Sequence, residues 1–208
     1  GMSIFHAISA FNNAGFDILG LGNSLVSYQD NVLLNLITIS LIVCGGLGFL
    51  VIKEICVKNI HVKKYSLHAK IVLIVTAVLI VSGTLLIKIC EGENITWLGA
   101  VFSSVTARTA GFATFSFSGF TNAGLMVMIV LMFIGASSGS TGGGIKTTTA
   151  FVIVKSIIAS ARKREPKVFK YSISGSTSKR AFVIAFIGIF VISFASFLVC
   201  LMEPMTGF

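Results

Sequence analysis

The chain has 208 residues, of which 55% are hydrophobic and 11% charged, and its formal net charge is +9. Charged residues make up about a quarter of an ordinary soluble chain, and a soluble domain of this size has no interior able to hide so much apolar surface. Composition excludes disorder, a secreted disulfide scaffold and an ordinary cytosolic enzyme, and leaves an all-α polytopic membrane protein.

Met2 to Phe11 is semi-apolar and leads into the polar string Asn12-Asn13-Ala14-Gly15-Phe16. A run of about 10 residues cannot cross a bilayer, which takes about 20, and suits a re-entrant helix instead. Asn31 to Ile52 and Ile71 to Cys90 are apolar and long enough to span. Trp97 to Ala107 is a second short semi-apolar run, leading into Arg108-Thr109-Ala110-Gly111-Phe112. Gly124 to Lys155 is a third span, interrupted by a Gly/Ser/Thr tract, and Ala181 to Met202 is a fourth.

Charge sets the orientation. Of 16 Lys and Arg, five lie between Lys53 and Lys70 and eight between Lys155 and Arg180, in the loops after the first and third spans. The positive-inside rule puts both loops in the cytoplasm. The other side then carries Asp17, Asp30, Glu91, Glu93 and Glu203, and all four spans agree with one topology. No soluble basic face or interleaved aromatics accompany the charge, so nucleic acid is not a partner. Cys44, Cys56, Cys90 and Cys200 sit in or beside apolar runs and read as small buried hydrophobes; they and the three histidines lack metal spacing.

The two short segments form an internal repeat. A shift of 96 positions puts Ala14 on Ala110, Gly15 on Gly111, Phe16 on Phe112 and Asn13 on Thr109. Each has the same context: short helix, Ala-Gly-Phe, polar loop, long span. This is the helix–pore-loop–helix plan of potassium channels. Irregular backbone at membrane depth is tolerated only where protein buries it or it lines water. A row of carbonyls aimed at an axis can replace the water shell of a cation. Asn13, Ala14, Gly15, Thr109, Ala110 and Gly111 offer such carbonyls to a monovalent cation. The bland reading of both strings is a pair of ordinary helix-capping turns. Arg108, directly before the second string, either tunes the field there or pairs with an acid or a helix end as scaffolding.

The tract Gly135-Ala136-Ser137-Ser138-Gly139-Ser140-Thr141-Gly142-Gly143-Gly144-Ile145-Lys146 is not a phosphate loop: Ile145 separates Gly144 from Lys146, and no soluble strand precedes it. Glycine costs about 1 kcal/mol per residue in a helix, so five in this tract predict an unwound segment. Lys146 is too costly to face lipid. A flexible loop carrying one cation beside a cation filter makes a gate; the competing reading is a small-residue packing face. Thr121-Asn122-Ala123-Gly124 repeats part of the first string, but no short helix precedes it, and it reads as a capped helix start. No nucleophile–base pair, paired carboxylates or metal set lies in the spans, so no enzyme chemistry is expected.

The strings Ser9 to Phe16, Thr109 to Phe112, and Met132 to Thr149 with its Gly-rich Ile-Lys-Thr-Thr-Thr end resemble the Trk/Ktr/HKT superfamily of potassium transporters, and most closely the bacterial membrane subunit. The resemblance covers nearly the whole chain. It implies four helix–pore-loop–helix repeats around one pore in a longer protein. Residues 1–58 would be the pore loop and second helix of repeat two, 59–162 the whole of repeat three with its broken second helix, and 163–208 a cytoplasmic linker and the first helix of repeat four. Gly15 and Gly111 match the family's filter glycines, and Gly135 to Lys146 its intramembrane gating loop. The resemblance further implies potassium uptake at the bacterial cytoplasmic membrane and homodimerisation. A cytoplasmic ring of regulatory subunits would bind the nucleotide, leaving no cofactor in this chain. Repeat one and the fourth filter segment are missing, so two filter segments cannot close a pore, and sodium selectivity or dependence stays open. The rival class is an alternating-access transporter, which usually couples through intramembrane acids; no acid lies within the four predicted spans.

Overall fold

The computed structural model describes residues 1–18, 24–58, 64–168 and 171–202. Among these residues the chain forms eight α-helices and one short hairpin, in two compact units, residues 1–148 and 149–208.

Two short helices organise the first unit. α1 (Met2–Phe11) and α5 (Trp97–Ala107) have the bounds that the sequence predicts. Thr96 starts α5 by accepting the Gly99 N–H at 3.1 Å, as a helix N-cap does. From Phe102 to Ala107 every residue of α5 is buried. The helix packs against α2 (Val32–Leu47), α4 (Leu67–Glu91) and α6 (Asn122–Phe133). A helix of this length ends inside a bilayer, and this enclosure supplies the protein surroundings that its end requires. Phe102, Val105, Ala110 and Phe112 join Ala10 and Ile42 in one apolar cluster, so both short helices and α2 share a core. α4 has 25 residues, or about 37 Å of helix, enough to cross roughly 30 Å of hydrocarbon. Ser66 caps it by accepting the Ala69 N–H at 3.1 Å.

The first predicted span is not one straight helix. α2 stops at Leu47, Gly48 takes a φ of +84°, and α3 (Phe49–Lys58) leaves at 100° to α2. Gly45, Gly46 and Gly48 weaken the helix locally. Close approach makes two of them necessary: a Cβ on Gly45 would stand 1.8 Å from the Phe11 carbonyl oxygen, and one on Gly48 2.9 Å from Ser137 Oγ.

The predicted interruption of the third span is present. α6 ends at Phe133, an irregular stretch covers residues 134–146, and α7 begins at Thr147. The start of α6 is a cap, as its sequence suggests: Thr121 Oγ1 accepts the Gly124 N–H at 3.1 Å. The buried Glu91 carboxylate fixes Thr121 in turn, accepting its N–H and its hydroxyl at 2.9 Å each.

The second unit holds most of α7 (Thr147–Ala161), a hairpin of β1 (Lys167–Val168) with β2 (Tyr171–Ser172), and α8 (Gly175–Met202). The pair β1–β2 is the one sheet among the described residues. α8 contains the predicted fourth span and starts six residues before it. Its best 18-residue window has a mean hydropathy of 2.8 and none of it is buried.

The outward faces of α2, α4 and α8 carry large apolar side chains. Leu33, Leu36 and Ile37 of α2, Ile74, Val78 and Val81 of α4, and Phe186, Phe190 and Phe194 of α8 stand exposed. Water does not tolerate so continuous an apolar surface; lipid does, and the chain is a multi-pass membrane protein. The cysteines correct the sequence reading: Cys44, Cys56 and Cys200 are exposed and Cys90 is half-buried. They lie on outward faces, so an apolar setting does not mean a protein core.

Candidate functional site

Both short helices end in the same kind of turn. After α1, the Ala14 N–H donates to the Ser9 carbonyl at 2.9 Å, Asn13 and Gly15 take positive φ (+53° and +69°), and Ser9 Oγ donates to the Phe16 carbonyl at 3.1 Å. After α5, the Ala110 N–H donates to the Thr106 carbonyl at 2.9 Å, Gly111 takes φ +84°, and Thr106 Oγ1 donates to the Phe112 carbonyl at 2.8 Å. In each, a hydroxyl near the helix end pins the phenylalanine carbonyl beyond a left-handed glycine. Asn12 Nδ2 secures the end of α1 by donating to the Ile8 carbonyl at 3.0 Å. Asp17, beyond the first turn, lies within 3.3 Å of His6 Nε2.

The two turns meet. Thr109 Oγ1 donates to Asn13 Oδ1 at 2.8 Å, so the residues that bond are the two that the 96-residue shift superposes. Gly15 rests on the Ala110 carbonyl: a Cβ there would lie 2.1 Å from its oxygen. Gly111 faces open space, with nothing within 4 Å of where its Cβ would be.

The glycine-rich loop lies against both turns. Its ends are tied by a parallel bridge between Ile134 and Ile145, and the Ala136 N–H donates to the Gly143 carbonyl at 3.2 Å. Gly135 and Gly144 touch there, since a Cβ on either would fall 2.8 Å from the Cα of the other. At its tip, Thr141 Oγ1 accepts from Asn13 Nδ2 at 2.9 Å, and Gly142 packs on the Thr109 side chain. Lys146 Nζ donates to the Gly142 carbonyl at 2.7 Å, tethering the one cation of the tract to its own backbone. Ser140 Oγ closes a small turn onto the Ser137 carbonyl at 2.6 Å.

The same loop fills the break between α2 and α3. The Ser137 N–H donates to the Gly46 carbonyl at 3.1 Å, Ser137 Oγ donates to the Leu47 carbonyl, and the Phe49 N–H donates to the Gly139 carbonyl at 3.1 Å. A broken helix frees backbone groups that cost energy if left unpaired in an apolar setting; here each break satisfies the other. Sequence reasoning missed Gly45, Gly46 and Gly48 as part of the site. The signal was Gly-Gly-Leu-Gly at 45–48 inside an apolar run.

The site offers neutral oxygens. Among the described residues no three His, Cys, Asp or Glu side chains gather as metal ligands. Backbone carbonyls with Asn and Thr oxygens suit a hard, weakly bound cation. Besides Lys146 of the loop, Arg108 brings a charge: it follows α5 and is only 6% exposed, and its Nε has no hydrogen-bond partner among the described residues. Of the roles open to it, pairing with an acid is not found among the described residues, whose ion pairs are His6–Asp17 and Lys58–Glu54.

Known proteins share the family and the fold of this chain. The family model TrkH, described as a cation transport protein, matches residues 1–91 and 69–206. The chain is 40% identical over 195 residues to the potassium/sodium uptake protein NtpJ of Enterococcus hirae, covering 89% of this chain and 43% of that protein. It is 37% identical over 227 residues to the Ktr system potassium uptake protein B of Bacillus subtilis, covering 99% of this chain and 50% of that protein. The crystal structure of the potassium transporter TrkH from Vibrio parahaemolyticus superposes with a TM-score of 0.68 at 23% identity, over 97% of this chain and 44% of that one. The chain thus spans half or less of the length of these relatives.

Proposed function

The chain belongs to the TrkH family of cation transport proteins, and from that premise we propose that it supplies two of the filter turns and the gate of a potassium-uptake pore in a bacterial cytoplasmic membrane. Residues 1–58 provide one turn and its following helix, 59–162 a complete helix–pore-loop–helix repeat, and 163–208 a linker and the first helix of the next repeat. Asn12 to Phe16 and Arg108 to Phe112 are the filter strings. The carbonyls of Asn13, Ala14, Gly15, Thr109, Ala110 and Gly111 replace the water shell of K+. Gly135 to Lys146 is the gating loop. The observation that carries this reading is the Thr109–Asn13 hydrogen bond, which joins repeat-equivalent residues at 2.8 Å with Thr141 of the loop bonded to the same asparagine.

In this reading the barrier is electrostatic as well as steric. Two unit charges about 4 Å apart repel by about 4 kcal/mol at an effective dielectric near 20. The Lys146 ammonium, held on the Gly142 carbonyl, moves with the loop, and so does its repulsion of an arriving cation. The whole protein works as a homodimer on a cytoplasmic nucleotide-binding ring; this is supported by its likeness to a component of a Ktr system. The transported ion is K+, with Na+ as co-ion or competitor.

The test is uptake by the full-length protein in a bacterium lacking its own potassium uptake, with and without Gly111→Asp. Rescue at low potassium that the variant loses supports a selective path past Gly111. A well-expressed, correctly inserted protein that gives no rescue overturns the pore and restores the alternating-access class.

A further inference from the structure

Arg108 poses a problem that the pore reading leaves unsolved. Its side chain is more than nine-tenths buried, and its Nε is unpaired among the described residues. It lines a cavity of about 310 Å³ together with Thr106, Gly111, Met128, Met132 and Gly143. The cavity touches the second turn and the glycine-rich loop, and none of these other lining side chains carries a charge. A guanidinium removed from water requires a counter-charge, and its planar fork matches the two oxygens of a carboxylate. The C-terminal end of α5 supplies only partial negative charge.

The acids among the described residues do not meet that need. Glu91 is engaged by Thr121, Asp17 by His6, and Glu54 by Lys58 and the Ser66 N–H. Asp30, Glu93 and Glu165 are exposed. Yet the cavity is large enough to admit a side chain, and the relatives are at least twice as long as this chain. We infer that Arg108 is half of a buried ion pair, that its carboxylate enters this cavity from a part of the full-length protein outside these 208 residues, and that the pair braces the second turn. Arg108 is then a positioning residue: it acts on ion preference through Gly111, without meeting the ion.

The test uses the full-length protein purified in detergent and in proteoliposomes. Arg108→Gln and Arg108→Lys are made, and every Asp and Glu outside residues 1–208 is replaced by its amide, alone and with Arg108→Gln. Thermal midpoint and the rubidium/sodium uptake ratio are measured for each. Arg108→Gln is expected to lower the midpoint and reduce the ratio about tenfold, with Arg108→Lys intermediate, because truncating one partner strands the other charge. One acid should reproduce the loss, and its double variant should lose no more than either single. No effect of Arg108→Gln on the midpoint, additivity for every acid, or a phenotype that follows the exchange of chloride for gluconate would each overturn the inference. The midpoint does not depend on transport, so the pair can stand where the pore reading falls. A selective pore without any coupled acid gives the reverse result.

Discussion

The turn after α1 and the turn after α5 are built alike and housed differently. Both place a glycine in the left-handed region and pin the next phenylalanine carbonyl with a hydroxyl. α5 is walled in by three helices, whereas much of α1 is open, with Met2, Ile4 and Ile8 exposed. Their glycines differ in the same manner but with the sense reversed: Gly15, in the open arm, is pressed on the Ala110 carbonyl, and Gly111, in the enclosed arm, faces free space. The lesson is that the two turns divide the work. The first leans on the second for its shape, and the second keeps one side clear.

That division can be broken by substitution. Gly15→Ala has the largest expected effect. Its methyl would lie 2.1 Å from a backbone oxygen, with φ already at +69°, and neither turn can yield without moving the other. Uptake of rubidium by the full-length protein should vanish, and its level in the membrane should fall. Gly111→Ala meets no atom and incurs only the left-handed conformation, about 1–2 kcal/mol. The protein should insert normally and take up rubidium with a reduced preference over sodium. Equal damage from both substitutions would dissolve the distinction.

Smaller changes sharpen it. Asn13→Ala removes bonds to both Thr109 and Thr141, and Thr109→Val removes one. At about 1 kcal/mol per neutral hydrogen bond, the asparagine variant should be the less stable, and the pair should be non-additive in thermal melting. Thr109→Ser, which keeps the hydroxyl, should restore most of the loss. Lys146→Met frees the loop from its tether on the Gly142 carbonyl. It removes both that hydrogen bond, about 1 kcal/mol, and the charge, whose repulsion of a cation reaches about 4 kcal/mol, so rubidium uptake should rise at least several fold when the pore is held closed. A lowered or unchanged closed-state flux would assign Lys146 to packing.

How much of this was legible in the sequence depends on whether the cause is local. The bounds of α1 and α5 follow from runs too short to span, punctuated by Ala-Gly-Phe, and the chain folds so. The unwinding between Phe133 and Thr147 was readable from glycine density alone. The 100° bend at Gly48 was not, because what holds it is a loop some 90 residues further on: Ser137 and Gly139 satisfy the backbone groups that the bend frees. The shift of 96 marked Asn13 and Thr109 as equivalents, but equivalence does not imply contact, and only the fold brings them to 2.8 Å. Arg108 was visible as a charge beside the turn; that it is buried without an acid among the described residues is a property of packing that no motif encodes.

The central claim is that cations pass both turns and are sorted there. Its most direct test is the rubidium/sodium uptake ratio of the full-length protein in proteoliposomes, compared between the unaltered protein and Gly111→Ala. A ratio that falls while total uptake persists is the result predicted here. An unchanged ratio with intact uptake would mean that ions are selected elsewhere, and would contradict the assignment of these turns as the filter.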